Sequence, residues 1–321
     1  MSTIIAGLPD IPASPGANLG HIWALRALLE FMGDAPSDAW LVGITGDAGR
    51  LHMLGPEISL DGPHVGTGRA LMRGLASLGH EARHHKRLDA GELLGPIAES
   101  VDQGMPVLAR STEGLDRWGL VAGYETDGRI YCRNTSASEG EYATSTTATM
   151  ADTGLNGGEI VVTAPPTAAR TLRDQALEAI AGKVRAAEEC EQPGEPYIAY
   201  VRCLDSWDEA RESGWAPDEI AFAYNVETWG LLKPLEAEFF AETLRVLDEP
   251  TRRPMVHAAE QFDIVGRNWD ALRWLLGWGH EDALEDPAKR WVGANMLRDA
   301  ERAEARGLAH LREALAASGG G

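Results

Sequence analysis

From Arg117 the chain reads Arg-Trp-Gly-Leu-Val-Ala-Gly-Tyr-Glu, and after an Asp127-Gly128 pair it continues Arg-Ile-Tyr-Cys-Arg-Asn to Asn134. Two apolar runs joined by an Asp-Gly turn specify a β-hairpin. Upstream, the spacing predicts a helix over about 89–103, with Leu93, Leu94, Ile97 and Val101 on one face and Gly104 as its stop. It leads into the apolar Pro106–Arg110 segment, a loop and then the hairpin. That order packs a helix on an antiparallel sheet.

Other elements of this half follow from the same rules. Ile22, Leu25, Leu28, Leu29 and Met32 recur at helical spacing and Gly33 ends the run, so a first helix covers about 19–32. Residues 1–18 are punctuated by Pro and Gly and form an extended arm. Leu41, Val42 and Ile44 precede small residues, and 51–66 is irregular. A second helix covers about 67–78, and His80–Leu88 is a strand. Ser136–Met150 is rich in Ser, Thr and Ala, which suits a loop or weak strands, and Glu159–Thr163 is the last strand.

Pro165-Pro166 should break that strand and mark a boundary. Beyond it the periodicity is helical throughout, with segments near 168–187, 195–212, 217–230, 233–246, 251–275 and 286–315. The chain of 321 residues therefore divides into an α+β domain over 1–165 and an all-α bundle over 168–321, two domains of ordinary size. No constant repeat period runs through the helices, so a single bundle is expected rather than a solenoid. Trp207, Trp215, Trp229, Trp269, Trp274, Trp278 and Trp291 are read as helix-packing residues of its core.

The net charge of −20 excludes a phosphate-binding surface of clustered Lys and Arg, and with it nucleic acid and anionic membrane as partners. No apolar run approaches the ~18 residues of a membrane span, and Met1–Asn18 has no secretory pattern. Cys132, Cys190 and Cys203 form no CxxC motif and fit a reducing compartment, so a cytoplasmic location is expected. His80, His84 and His85 lack the companion ligands of a metal site and are read as solvated. A small molecule or a protein is the expected partner, and a homo-oligomer is left open.

The stretch Gly16-Ala17-Asn18-Leu19-Gly20-His21 running to Gly33, taken with the hairpin, resembles the papain-like N-terminal domain of the butirosin-biosynthesis acyltransferase family. More remotely it resembles the bacteriocin-leader-processing cysteine peptidases. The helical half is similar to the companion domain of the acyltransferases through Ala223-Tyr224-Asn225, Trp229 and Glu236–Phe240. The resemblance implies a papain-like antiparallel sheet packed on helices, and acyl transfer or amide chemistry through a Cys–His–Asn/Asp triad. In that triad the nucleophile falls on Gly20 or His21, the base on Arg117 and the orienting residue on Asn134. No cysteine precedes Cys132, and Arg117 stays protonated, so thiol chemistry of the usual kind is excluded.

What stands in those places suggests other chemistry. His21 can exchange a proton near neutral pH, Arg117 can bind a carboxylate or an oxyanion, and Asn134 can orient a ligand. Asn18, Gly20, Trp118, Tyr224 and Asn225 are the expected substrate contacts. His257 and Glu260, one helical turn apart, form a weaker pair. The expected function is non-thiol acid–base chemistry on an anionic or amide-bearing metabolite of secondary metabolism, free or carrier-bound, without cofactor or metal. The alternatives are a ligand-binding or regulatory pseudoenzyme, a protein-interaction module, and an acyltransferase-like enzyme with its thiol displaced to Cys132, which shares Asn134's face of the strand.

Overall fold

A computed structural model describes residues 3–12, 19–34, 36–48, 62–113, 117–152, 157–166, 170–189, 195–213 and 218–319. The readings of Asn18, Cys190, Trp215 and most of 51–66 lie outside the described residues. The architecture is α+β, in two compact units: Met1–Leu41 with Gly66–Arg170, and Val42–Val65 with Thr171–Gly321.

The first unit begins with β1 (Thr3–Ile4), α1 (Gly20–Phe31) and α2 (Asp38–Thr45), whose last residues count with the second unit. Then come α3 (Thr67–Ser77), β2 (His80–Leu88), α4 (Ala90–Asp102), β3 (Val107–Arg110), β4 (Trp118–Tyr124) and β5 (Arg129–Arg133). The unit closes with β6 (Ala143–Thr146), α5 (Thr147–Asp152) and β7 (Gly158–Pro166). All pairings are antiparallel and the order is β2-β7-β3-β4-β5-β6, so β7, last along the chain, lies between β2 and β3. β1 pairs with the end of β4 that β3 leaves uncovered, Thr3 opposite Tyr124.

Strand alternation gives this sheet two faces. Leu93, Ile97 and Val101 of α4 bury one of them through Val107, Ala109, Val121, Ile130 and Ile160. Asp89 starts that helix with a full capping box, accepting from Gly91 and Glu92 while Glu92 accepts from the Asp89 backbone. The opposite face carries Arg110, Trp118 and Glu159. There α3 closes over the sheet: the Trp118 indole N–H donates to Thr67 Oγ1 at 2.9 Å.

Two expectations are corrected here. Pro165-Pro166 does not break the last strand: β7 runs through Pro166, paired with His80. β3 covers β7 only at Ile160 and Val161, so the prolines fall where one edge needs no N–H donor. The Thr-rich segment also contains a helical turn, α5, seated beside α4 and β7.

The second unit comprises α6 (Leu172–Glu188), α7 (Glu195–Asp205), α8 (Trp207–Glu212), α9 (Glu219–Thr243), α10 (Glu249–Leu276) and α11 (Pro287–Ser318). Segments 217–230 and 233–246, read as two helices, are one continuous α9 with Pro234 inside it. Packing against α10 along its length outweighs the single backbone hydrogen bond a proline removes. Conversely, 195–212 breaks at Ser206 into two helices, whereas α11 is uninterrupted.

Trp207, Trp229 and Trp269 do pack the core, with Tyr200 edge-on to Trp269 at 5.8 Å between centroids. Trp274, Trp278 and Trp291 do not: all are exposed. No helix among the described residues is long and apolar enough to cross a membrane.

Candidate functional site

The opening helix and the hairpin meet. A Cβ placed on Gly20 would lie 3.5 Å from the Trp118 backbone and 3.8 Å from Arg117 Cβ. The start of α1 therefore abuts the start of β4, and His21, the next residue, is buried there. The contact distances are ordinary van der Waals ones, so an alanine Cβ at Gly20 meets no clash.

The partners of Arg117 and Asn134 are of another kind. Arg117 lies 3.3 Å from the Thr135 hydroxyl and 3.9 Å from Glu113. Glu113, nearly sealed from solvent, also accepts from the Thr135 backbone and hydroxyl at 2.8 and 2.7 Å and from Ser136 Oγ at 2.6 Å. Asn134 is buried, and its Oδ1 accepts the backbone N–H groups of Ser136 and Ala137 at 3.1 and 3.0 Å. That is an Asx turn ending β5. Its amide nitrogen reaches Thr112 Oγ1 at 3.5 Å and Cys132 Sγ at 3.6 Å.

Asn134 and Cys132 share the strand face that α4 covers, whereas Trp118, which Gly20 touches, faces the other way. Cys132 is fully buried. Burial, and behind it the negative charge of Glu113, push its thiol up to about 12. Cys203 is raised to about 12 by burial as well. A thiolate at Cys132 is therefore scarcely populated at neutral pH. Iodoacetamide should leave the Cys132 peptide unmodified in the native protein and modify it fully in denaturant, as read by mass spectrometry. Rapid native labelling would restore the displaced thiol as a nucleophile.

Beside the β5–β6 ladder lies a cavity of about 430 Å³ lined by Thr112, Glu113, Arg129, Asn134, Ser136 and the Thr144–Thr146 strand, with Thr149. Hydroxyls dominate it, with one carboxylate and one guanidinium. Arg129 is half exposed, and its nearest carboxylates, Glu125 and Asp127, are 3.8 and 3.9 Å away, too far for tight pairing. Its volume is in the range of small-molecule sites and its lining is polar. Its lining was unreadable in sequence beyond Asn134, since β6 and α5 left only a weak Thr-rich signal.

On the opposite face sits a group of which the sequence singled out only His84, there read as solvated. Arg110 Nη1 donates to Glu159 Oε2 at 2.9 Å, and His84 Nε2 lies 2.7 Å from Glu159 Oε1. All three are largely buried. Burial alone would raise the Glu159 carboxyl, but hydrogen bonds and charge from His84 and Arg110 outweigh it and hold its pKa below the usual carboxylate value. His84 is thus not solvated, as the sequence suggested, but paired with Glu159. His80 is buried too, Nδ1 lying 3.3 Å from the Ala164 carbonyl.

In the helical unit, Asn225 is fully buried, accepting from the Tyr200 hydroxyl at 3.0 Å and donating to the Ala221 carbonyl at 2.8 Å. The Tyr224 hydroxyl lies 2.7 Å from His64 Nε2, its ring edge-on to Trp278. His257 and Glu260 are exposed, 3.3 Å apart. Neither a protein-family model nor a curated protein sequence matches the chain. Function is therefore read from side-chain chemistry.

Proposed function

We propose that the chain is a papain-like protein of small-molecule metabolism that has abandoned thiol catalysis and binds a polar metabolite. The ligand is an anionic or amide-bearing compound, and it occupies the hydroxyl-lined cavity beside Asn134. One observation carries this reading: the residue in the triad's orienting position uses its carbonyl oxygen to close a turn, so it is unavailable to align a base. The meeting of Gly20 with Arg117 and Trp118 supports the papain-like part of the reading. Arg129 would hold the ligand's negative charge, while Thr144, Ser145 and Thr149 would meet its polar groups.

A second reading, acid–base catalysis by His21, is favoured by the burial of that imidazole where α1 meets β4. The two separate cleanly. A panel of carboxylate and amide metabolites, screened by thermal shift and confirmed by calorimetry, should yield a binder that is recovered unchanged. Arg129→Ala and Thr144→Val should each weaken it tenfold or more, and His21→Ala should leave affinity intact. Product formation that disappears in His21→Ala, with affinity unaffected by Arg129→Ala, would overturn the binding reading in favour of catalysis.

A further inference from the structure

His257 on α10 and His310 on α11 face each other across the two helices, ring centroids 5.4 Å apart and ring planes inclined by 44°. Each imidazole is held by a carboxylate one turn further along its own helix. His257 Nδ1 lies 3.3 Å from Glu260 Oε2, and His310 Nδ1 lies 3.1 Å from Glu313 Oε2. An ionised carboxylate can only accept, so Nδ1–H is the donor in both contacts. The remaining lone pair of each neutral ring is then on Nε2. Both side chains are open to water, at 57% and 30% exposure.

The helices are held close at this level. A Cβ on Gly307, one turn before His310, would lie 2.8 Å from the Phe262 ring, so only glycine lets α11 approach so nearly. Neighbouring polar groups are accounted for: Arg306 donates through Nε to Gln261 Oε1 at 2.8 Å. Nothing in these contacts needs two histidines opposite each other, each with its own carboxylate.

From this geometry we infer a binding site for a borderline divalent transition-metal ion, Cu²⁺, Zn²⁺ or Ni²⁺, clipped between His257 and His310. For Zn²⁺, a tetrahedral ion bound at about 2.0–2.1 Å to two imidazole nitrogens sets the ring centroids about 5 Å apart, close to the observed 5.4 Å. Glu260 and Glu313 are positioning residues: they fix the tautomer and raise the basicity of the ligating nitrogen. Among the described residues no group of three or more His, Cys, Asp or Glu could hold a metal ion. The site therefore has two protein ligands, and water completes the coordination. Copper binds most tightly, by the usual order of divalent affinities.

Calorimetric titration of the full chain with CuSO₄ and ZnCl₂ tests the assignment. One equivalent of metal is expected, and His257→Ala and His310→Ala should each lower affinity at least tenfold, since either leaves a single imidazole. The Glu260→Gln, Glu313→Gln double variant should weaken binding about tenfold while keeping both ligands. At one equivalent, the copper EPR signal should show two coordinated nitrogens. His280→Ala, a change at another histidine, should have no effect. Equal affinity in the wild type and both alanine variants, or equal losses from His280→Ala, would overturn the site. All four histidine and glutamate positions are on the surface, and unchanged far-UV CD would confirm that the variants fold.

Discussion

Glu304→Ala should lower the stability of the helical unit by roughly 3–5 kcal/mol, the usual cost of removing one partner from a buried ion network. For a unit of this size that is a fall of about 10 °C in melting temperature. Glu304 accepts from Lys183 Nζ at 2.5 Å, from Lys233 Nζ at 3.1 Å and from the Tyr197 hydroxyl. Glu236 is the second carboxylate, 2.9 Å from Lys183 and 3.3 Å from Lys233. Two ammoniums balance two carboxylates, all withdrawn from water. Deleting Glu304 leaves two buried cations sharing one anion, and the Tyr197 hydroxyl loses its acceptor.

Charge balance rather than side-chain volume should govern the outcome. Lys233→Met combined with Glu304→Leu keeps the Lys183–Glu236 pair and restores neutrality, so the double variant should recover most of the loss. A denaturant-unfolding cycle measures this, and additive effects would show that the network is not coupled. The pH dependence has a definite sign. Burial alone would raise the Glu304 carboxyl, but Lys183 and Lys233 more than offset it and bring it down to about 2. Its contribution is therefore present above an unfolded value near pH ~4.3 and is lost as pH falls from there toward about 2. Glu304→Ala within ~1 kcal/mol of wild type at pH 7 would dispose of this account.

Local signals made much of the fold legible. α1, α3 and α4 each end where a glycine follows an apolar stripe, and β2 to β5 are bounded by Gly, Pro and Asp, so their limits could be read from the chain. Contacts distant in sequence could not. Lys183 and Lys233 sit on helices where a charge reads as solvent-facing, and their partner Glu304 is 121 and 71 residues away, respectively. The break expected between 230 and 233 is absent because the packing of α9 on α10, which local sequence does not reveal, holds one continuous helix.

The candidate site divides in the same way. The helix over Gly20–Phe31 and the hairpin strands were each readable from local pattern, but their meeting was not: it was expected only from the resemblance. Asn134-Thr135-Ser136 carried a second signal, since Asn at a strand end favours an Asx turn, and that turn is what its carbonyl makes. The hydroxyl-lined cavity depends on β6 and α5, whose Thr-rich sequence has neither a clear period of two nor one of 3.6.

The second large effect is expected in the sheet unit, at Glu159 and at the glycine above it. Glu159→Ala removes the carboxylate that Arg110 and His84 share. Because Arg110 cannot shed its proton, the cost should be roughly 3–5 kcal/mol. Gly68→Ala attacks the same cluster from above: its Cβ would lie 2.4 Å from Glu159 Oε1 and 2.5 Å from His84 Nε2. Those two atoms are hydrogen-bonded to each other, and the Glu159 carboxylate is held by Arg110 through Oε2, so neither can retreat without disturbing the cluster. Overpacking of this kind costs about 1–3 kcal/mol before the lost hydrogen bond is counted. If α3 is held down through this contact, Gly68→Ala should also weaken the Trp118–Thr67 hydrogen bond, and Trp118 should become more accessible to acrylamide. A lowered carboxyl pKa at Glu159 adds acid sensitivity: its stabilisation, full above the unfolded carboxylate range, is lost as pH falls through the folded value. Glu159→Ala should therefore show a shallower acid transition than wild type. An unchanged acid transition, together with an unperturbed Gly68→Ala protein, would mean that the cluster does not hold α3 to the sheet.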